Sequence, residues 1–395
     1  MARRPPAARY DMMDLRFLEN LLDATLRQAP GASDILLSPG SPVMASVAGA
    51  LNPVTGVLPA VLTEADTAAM ARALLEQRPH AKADHAATGS ADLALALPSG
   101  TRLRANVFLR LGATAMVFRR LPDAIPTAAA LGLPPLVTDA AGALDGLVAV
   151  VGATGSGKST TLAALIDMVN QTRAVHVVTL EDPVEYLHPP RRALVSQREL
   201  GPDFQDFASG VRAAMRQAPR VILVGEIRDR ETAEAALRAA ETGHLVFCTV
   251  HATDCGGMVS RLAGLFDPSE ERTARAALAG CLRLAVAQRL VPTLDGGRAA
   301  VFEVMAPTLR VREMIVHGET DEATFSEVVA QGKAHGMLSF ASSLGRLLLA
   351  GRISEETVSL YAPDRATAVK IIDAVRLAAG KKDGDAPLKL ELDRR

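Results

Sequence analysis

The segment Gly152-Ala153-Thr154-Gly155-Ser156-Gly157-Lys158-Ser159 leaves this chain little freedom of architecture. It fits the pattern G-x-x-x-x-G-K-[ST], and its flanks are those the pattern requires. The apolar, β-branched run Leu147–Val151 precedes it and the helical stretch Thr160–Asn170 follows. Glycines let the backbone wrap closely enough for successive N–H groups to point at one anion, and the start of a helix adds positive potential. The residues from Gly152 to Thr160 are therefore the candidate ATP-binding loop. Lys158 is placed to contact the β- and γ-phosphates, and Ser159 to ligate Mg²⁺.

The surrounding pattern agrees with a phosphate loop set in a covered sheet. Gly146–Val151, Ala174–Leu180, Arg220–Val224 and Leu245–Val250 are short apolar runs that read as buried strands. They alternate with the helical stretches Thr160–Asn170, Phe207–Arg216 and Glu231–Thr242, which predicts a largely parallel sheet with helices on its faces. From Asp267 onward the chain reads as mainly helical. Upstream, Leu15, Leu18, Leu22 and Leu26 mark a helix over 14–29, and Glu64–Glu76 reads as a second one after the N-cap Thr63. Leu93–Leu97, Arg102–Leu111 and a run ending at Val117-Phe118 read as strands, so this part predicts a small α+β domain. Prolines 122, 126, 134 and 135 mark a connector. The expected organisation is an N-terminal α+β domain over 1–120, a linker over 121–135, an α/β P-loop domain with C-terminal helices over 136–380, and a charged, mobile tail over 381–395.

Composition removes several function classes. Hydrophobic residues are 49% of the 395, which excludes a wholly disordered chain. A formal charge of -1, 3% aromatics and no Trp argue against a protein held mainly by nucleic-acid phosphates or stacked bases. Three cysteines cannot make a disulfide framework at this length, which fits a reducing compartment. The uncharged run from Ile35 to Thr63 is broken by Pro39, Pro42, Pro53 and Pro59, so it reads as strands and turns, not as a membrane span. No targeting segment is visible, and the protein is expected in the cytoplasm.

Further chemistry is concentrated at strand ends. Val221-Ile222-Leu223-Val224-Gly225-Glu226 is an apolar strand ending in a carboxylate, the layout of the acidic strand that completes a P-loop site, and Glu226 can hold the metal's water shell or orient the attacking water. Thr179-Leu180-Glu181-Asp182-Pro183-Val184-Glu185 places three carboxylates after another strand, and Glu181 is a second candidate for polarising water. His244, Cys248, His251 and Cys255 are spaced like zinc ligands. On a strand, however, residues three apart face opposite ways, so Cys248 and His251 cannot share a metal without a bulge. The histidines read instead as strand-end groups near the phosphates. Arg102, Arg104, Asn106 and Arg110 alternate on one strand face, with Arg119 and Arg120 soon after. They form either a solvated basic face or guanidinium donors offered across a boundary to a γ-phosphate.

Taken together, these motifs resemble the type II/type IV secretion and pilus motor ATPases, particularly the PilT-type retraction motors. The resemblance runs from about Leu18 to Ala362. Ala32-Ser33-Asp34-Ile35 with Pro39-Gly40 resembles the opening of the family's PAS-like N-terminal domain. Thr101–Asn106 and Val117-Phe118-Arg119 are similar to its arginine-bearing segments. Leu180–Glu185 is similar to its acidic "Asp box", Val221–Arg228 to its atypical Walker B motif, and Thr242–His251 to its "His box". Gly336–Phe340 and Gly351–Ser354 look like the C-terminal region of PilT-type members. Phe207–Arg216 looks more like the DotB- and TraJ-type ATPases. Glu313 and Ser46 depart from the PilT pattern, which usually has Asn and Arg there.

The resemblance implies a RecA-like ATPase domain behind the PAS-like one, in a homo-hexamer that uses ATP and Mg²⁺. It implies catalytic roles for Glu226, Glu181, Arg102, Arg104, Arg119 and His251, nucleotide contacts from His244, and Glu185 beside Ser159 at the metal, directly or through water. The implied partner is an inner-membrane platform protein, with the ATPase peripheral at that membrane and no direct nucleic acid. The implied work is pilus retraction or, in the DotB/TraJ alternative, secretion or conjugation; a nucleic-acid-stimulated RecA-like ATPase is the remaining alternative. Val311, Met314 and Ile315 share a helical face with Arg312 on its flank, and the similar PilT segment implies a coupling role. Arg312→Ala removes a charge but little apolar area, so it is expected to leave folding nearly intact.

Overall fold

The computed structural model describes residues 13–57, 59–320, 323–378 and 380; the charged tail expected over 381–395 lies outside the described residues. Two compact units divide the chain. The first comprises Met1–Ile125, Leu180–Pro189 and Gln197–Asp206, and the second Pro126–Thr179, Pro190–Ser196 and Phe207–Arg395.

The first unit begins with α1 (Leu15–Gln28), β1 (Ala32–Leu37), β2 (Met44–Val47) and β3 (Ala50–Pro53), followed by α2 (Glu64–Glu76) and α3 (Pro79–Thr88). It continues through β4 (Ser90–Ala96), β5 (Arg102–Arg110) and β6 (Ala113–Arg120). Helix α2 occupies the residues its pattern predicts, because Thr63 and Asp66 form a capping box that satisfies donors at its start. The strands make an antiparallel sheet in the order β3-β2-β1-β6-β5-β4. Along β5, Leu103, Ala105 and Val107 enter the core while Arg102, Arg104 and Asn106 take the other face. Leu18, Leu22, Met70 and Leu74 of the helices pack with Ile35, Leu37 and Phe118 of the sheet. This is the α+β layout expected of the N-terminal part.

The chain then forms α4 (Pro135–Asp139), β7 (Gly146–Val151), α5 (Lys158–Thr172), β8 (His176–Glu181), β9 (Leu194–Glu199) and α6 (Phe207–Ala214). It continues with β10 (Val221–Val224), α7 (Arg230–Glu241), β11 (Leu245–Val250), α8 (Cys255–Ala263) and α9 (Pro268–Cys281). The last elements are β12 (Leu282–Pro292), β13 (Arg298–Met305), α10 (Leu309–His317), α11 (Phe325–Gln331), α12 (Phe340–Leu349), α13 (Glu355–Tyr361) and α14 (Arg365–Ala378). The second sheet runs β13-β12-β7-β11-β10-β8-β9. Strand β11 pairs in parallel with both β7 and β10, and every residue of these three strands is buried. Val148, Val150, Phe247 and Val286 meet Leu165, Ile166 and Val169 of α5 in its core.

The region after Asp267 is mainly helical, as its sequence reads, but it also holds two strands outside the expected set. Strand β12 pairs in parallel with β7, and β13 returns antiparallel to β12. Most of β12 is buried, so its sequence lacks the polar/apolar alternation that marks a half-exposed strand, and its alanines favour helix locally. Strand β9 also lies outside the expected set. It is a polar edge strand, Leu194-Val195-Ser196-Gln197-Arg198-Glu199, with too few apolar residues to announce itself.

Candidate nucleotide-binding and hydrolysis site

In the second unit, the loop after β7 turns through Gly152, Gly155 and Gly157, with φ of 154°, 79° and 90°. Only glycine adopts such backbone angles without strain, so α5 can start at Lys158 directly behind a tight loop. Ala153, Thr154, Gly155 and Ser159 are exposed, whereas Ser156 is buried. The Lys158 ammonium bends back over the loop and donates to the carbonyls of Gly152 at 2.9 Å and Ala153 at 3.1 Å. Thr160 follows in the first turn of α5.

Glu226 lies just beyond β10, at the carboxyl edge of the sheet shared with the loop after β7. Both carboxylate oxygens are held. His251 Nε2, just past β11, lies 2.9 Å from Oε1, and the Arg228 guanidinium lies 2.7 Å from Oε2. Glu226 is thus an acceptor fixed at a sheet edge, with its side chain 16% exposed.

His244 does not join this group. It precedes β11, at the opposite end of the strand from His251, about 20 Å away for a strand of this length. Its Nδ1 is 3.0 Å from the Ala239 carbonyl, at the C-terminus of α7. One extended strand thus sets His244 and His251 at its two ends and does not bring both to the same phosphates. Cys248 and Cys255 are buried, and burial pushes both thiols well above the usual thiol range.

The acidic loop belongs to the first unit. Gln197 of β9 donates to Glu181 Oε1 at 3.2 Å and to the Tyr186 carbonyl at 2.8 Å, and accepts from the His188 N–H at 2.9 Å. Glu199 accepts from the Val184 N–H at 3.1 Å; burial pushes its carboxyl up. Arg102 donates to the Glu185 carbonyl at 3.0 Å and to the Val184 carbonyl. The loop carrying Glu181, Asp182 and Glu185 is thus stapled by three side chains. Arg104 pairs with Asp92 at 3.3 Å and Arg119 with Asp34 at 2.8 Å; the two arginines stand opposite each other across β5 and β6. Gln197 and Glu199 were not among the expected site residues. Their one signal was period-two spacing in a segment not read as a strand.

One further residue escaped the sequence reading: Gln288 on β12, 3% exposed, which bonds the loop after β7 and the first turn of α5. Among the described residues, no three His, Cys, Asp or Glu side chains gather around a common point. The donor set therefore does not suit a cation caged by protein. It suits Mg²⁺, which keeps several waters and takes one or two protein oxygens with the phosphates. The Ser159 hydroxyl, exposed in the first turn of α5, fits that role.

Residues 135–296 match the family described as "Type II/IV secretion system protein". The chain is 36% identical to the type IV pilus retraction ATPase PilT of Pseudomonas aeruginosa over 326 residues, covering 82% of this chain and 93% of that protein. Among solved structures, it is similar to the pilus retraction motor PilT with bound ADP, with a TM-score of 0.78 and 34% identity over 88% of this chain and 98% of that one. It is also similar to the ATPase DotB of Legionella pneumophila, with a TM-score of 0.69 and 29% identity over 91% and 96% of the two chains. The parallel sheet, the glycine loop and these likenesses agree: the chain belongs to the type II/IV secretion and pilus motor ATPase superfamily, among its PilT-like members.

Proposed function

We propose that this protein is a ring-forming ATPase that turns ATP hydrolysis into mechanical work on a type IV pilus or a related secretion or conjugation machine. The observation that carries the reading is the phosphate loop, Glu226 and His251 along one sheet edge, in a chain similar to a pilus retraction ATPase over nearly that protein's whole length. Bound Mg²⁺–ATP supplies the phosphoanhydride to be cleaved and the cation that neutralises charge developing on it. The backbone amides of Gly152–Ser159 hold the phosphates, and Lys158 exchanges the Gly152 and Ala153 carbonyls for phosphate oxygens. Ser159 offers its hydroxyl to the cation, and only family resemblance supports Glu185 as a contributor through water. Glu226 takes the proton of the attacking water, while His251 and Arg228 hold the carboxylate in place.

Arg102 serves as a positioning residue, because its guanidinium is spent on the acidic loop that carries Glu181. Family resemblance supports roles for Arg104 and Arg119 in hydrolysis, a homo-hexamer, an inner-membrane platform protein as partner, and a place at the cytoplasmic side of that membrane. Among the described residues, no helix is long and apolar enough to cross a membrane. Likeness to DotB over 91% of the chain favours secretion as the second reading.

The test pairs ATPase assays on purified protein, with and without single-stranded DNA, with pilus-retraction and secretion assays on a strain lacking the gene. DNA-independent turnover and loss of retraction are the expected outcome. Loss of secretion with intact retraction favours the second reading, and absence of turnover overturns both.

A further inference from the structure

Gln288 lies on β12 directly after Ala287, which is in register with Val151 at the end of β7. It is thereby set against Gly152, the first residue of the phosphate loop. A Cβ on Gly152 would come within 2.5 Å of the Gln288 carbonyl, and one on Gly157 within 2.7 Å of its Nε2. Gly152 is thus required by the backbone of this neighbour as well as by its own angle, and Gly157 leaves room for the carboxamide. The carboxamide is occupied at both ends: Nε2 donates to the Ser156 carbonyl at 2.7 Å, and Oε1 accepts from the Thr161 hydroxyl at 2.7 Å. Ser156 and Thr161 are themselves buried.

These bonds bear on the loop's chemistry because a peptide unit is planar and trans. Its C=O and N–H point in opposite directions. Tying the Ser156 carbonyl to Gln288 therefore turns the N–H of the same peptide unit, that of Gly157, away from Gln288. That amide belongs to the set that must converge on a phosphate. The Thr161 bond ties the first turn of α5 to the same carboxamide. An amide side chain carries the donor and the acceptor together at any ordinary pH. Leu or Met would fill the volume but leave the Ser156 carbonyl and Thr161 hydroxyl without partners, and an ionised Glu would set a carboxylate against a carbonyl.

We propose that Gln288 is a positioning residue for the phosphate loop, orienting the Ser156–Gly157 peptide toward the nucleotide while making no contact with it. The inference rests on the reading of Gly152–Ser159 as the ATP-binding loop. Its test measures ADP binding by calorimetry, together with KM and kcat, for the full-length wild type and Gln288→Glu. Wild type binds ADP. The variant is expected to show Kd and KM raised about tenfold with kcat nearly unchanged, the size of effect that loss of one buried hydrogen bond produces. Its affinity should recover as pH falls, because a protonated Glu can again donate to the Ser156 carbonyl; wild type should show no such recovery.

If Gln288→Glu fails to fold, Thr161→Val and Thr161→Ser decide. The valine should raise Kd and the serine, which keeps the hydroxyl, should not. Equal ADP affinity in wild type and folded Gln288→Glu, or in all three Thr161 forms, overturns the proposal and leaves Gln288 as packing. Failure of wild type to bind ADP overturns the nucleotide reading on which the proposal stands.

Discussion

Lys158 and Glu226 divide the chemistry between them, and their surroundings predict different phenotypes. The Lys158 ammonium bonds carbonyls of its own loop, so Lys158→Ala should retain the fold and show no measurable ATP turnover, with a melting temperature within a few degrees of wild type. Glu226→Gln keeps the shape and an acceptor for His251 but cannot take a proton. It should bind ATP normally and hydrolyse it about a hundredfold more slowly, as loss of a general base commonly does. Wild-type turnover in this variant would transfer the activation of water to Glu181, whose carboxylate Gln197 holds at 3.2 Å.

Long-range side-chain bonds hold two helices of the second unit, one beside the site and one at the other edge of the sheet. Glu303 of β13 reaches the start of α8 and accepts the Cys255 N–H at 2.8 Å, behind the turn that begins with His251. Burial first, and then the nearby Asp254, push its carboxyl above the ordinary value of 4.5, although the Cys255 N–H and Arg289 pull the other way. A folded-state value above the unfolded one means that the protonated form favours folding. Its contribution is complete below the unfolded value and is lost as pH rises through the folded one. Glu303→Gln, which keeps the acceptor without the charge, should therefore flatten the pH dependence of thermal unfolding just above pH 4.5 and be no less stable at neutral pH.

Arg312 corrects the expectation that its removal leaves folding nearly intact. Its guanidinium donates to the carbonyls of Ala279 and Gly280 at the end of α9 and of Pro307 before α10. Cations at a helix C-terminus satisfy carbonyls that lack partners and meet the negative end of the dipole. Arg312→Ala should thus lose about 1–3 kcal/mol in denaturant unfolding instead of being nearly silent. A loss of pilus or secretion work counts as coupling only where the residual folded protein keeps its ATPase rate.

At the scale of the molecule, the units do not follow chain order. Leu180–Pro189 and Gln197–Asp206 belong to the first unit, where Arg102 bonds Val184 and Glu185. A fragment beginning at Leu133 lacks that arginine and the sheet it stands on. It should still bind ADP through Gly152–Ser159 but hydrolyse ATP poorly, and limited proteolysis should cut it within 181–206 faster than the full chain. Near-normal turnover by the fragment would reduce Arg102, Arg104 and Arg119 to structural or solvated groups.

The sequence alone determined what depends on local chemistry. The glycine loop could be recognised from its own residues with a strand before and a helix after; the N-cap Thr63 and the apolar runs of β7, β10 and β11 are similarly local signals. Their residues were legible because each element's own hydrogen bonds and burial select its residue types. Tertiary structure decided what depends on distant partners. Strands β12 and β13 are strands because a sheet edge accepts them, against the helix preference of their alanines. Gln288 matters because β12 sets it beside Gly152, and Gln197 and Glu199 because β9 sets them under the acidic loop. Arg312 is a helix cap because α9 ends beside it. His244 and His251 looked alike in the sequence, and the length of one extended strand separated them. A hydrogen bond between residues far apart in the chain leaves no periodicity behind, so these roles became visible only once the chain had folded.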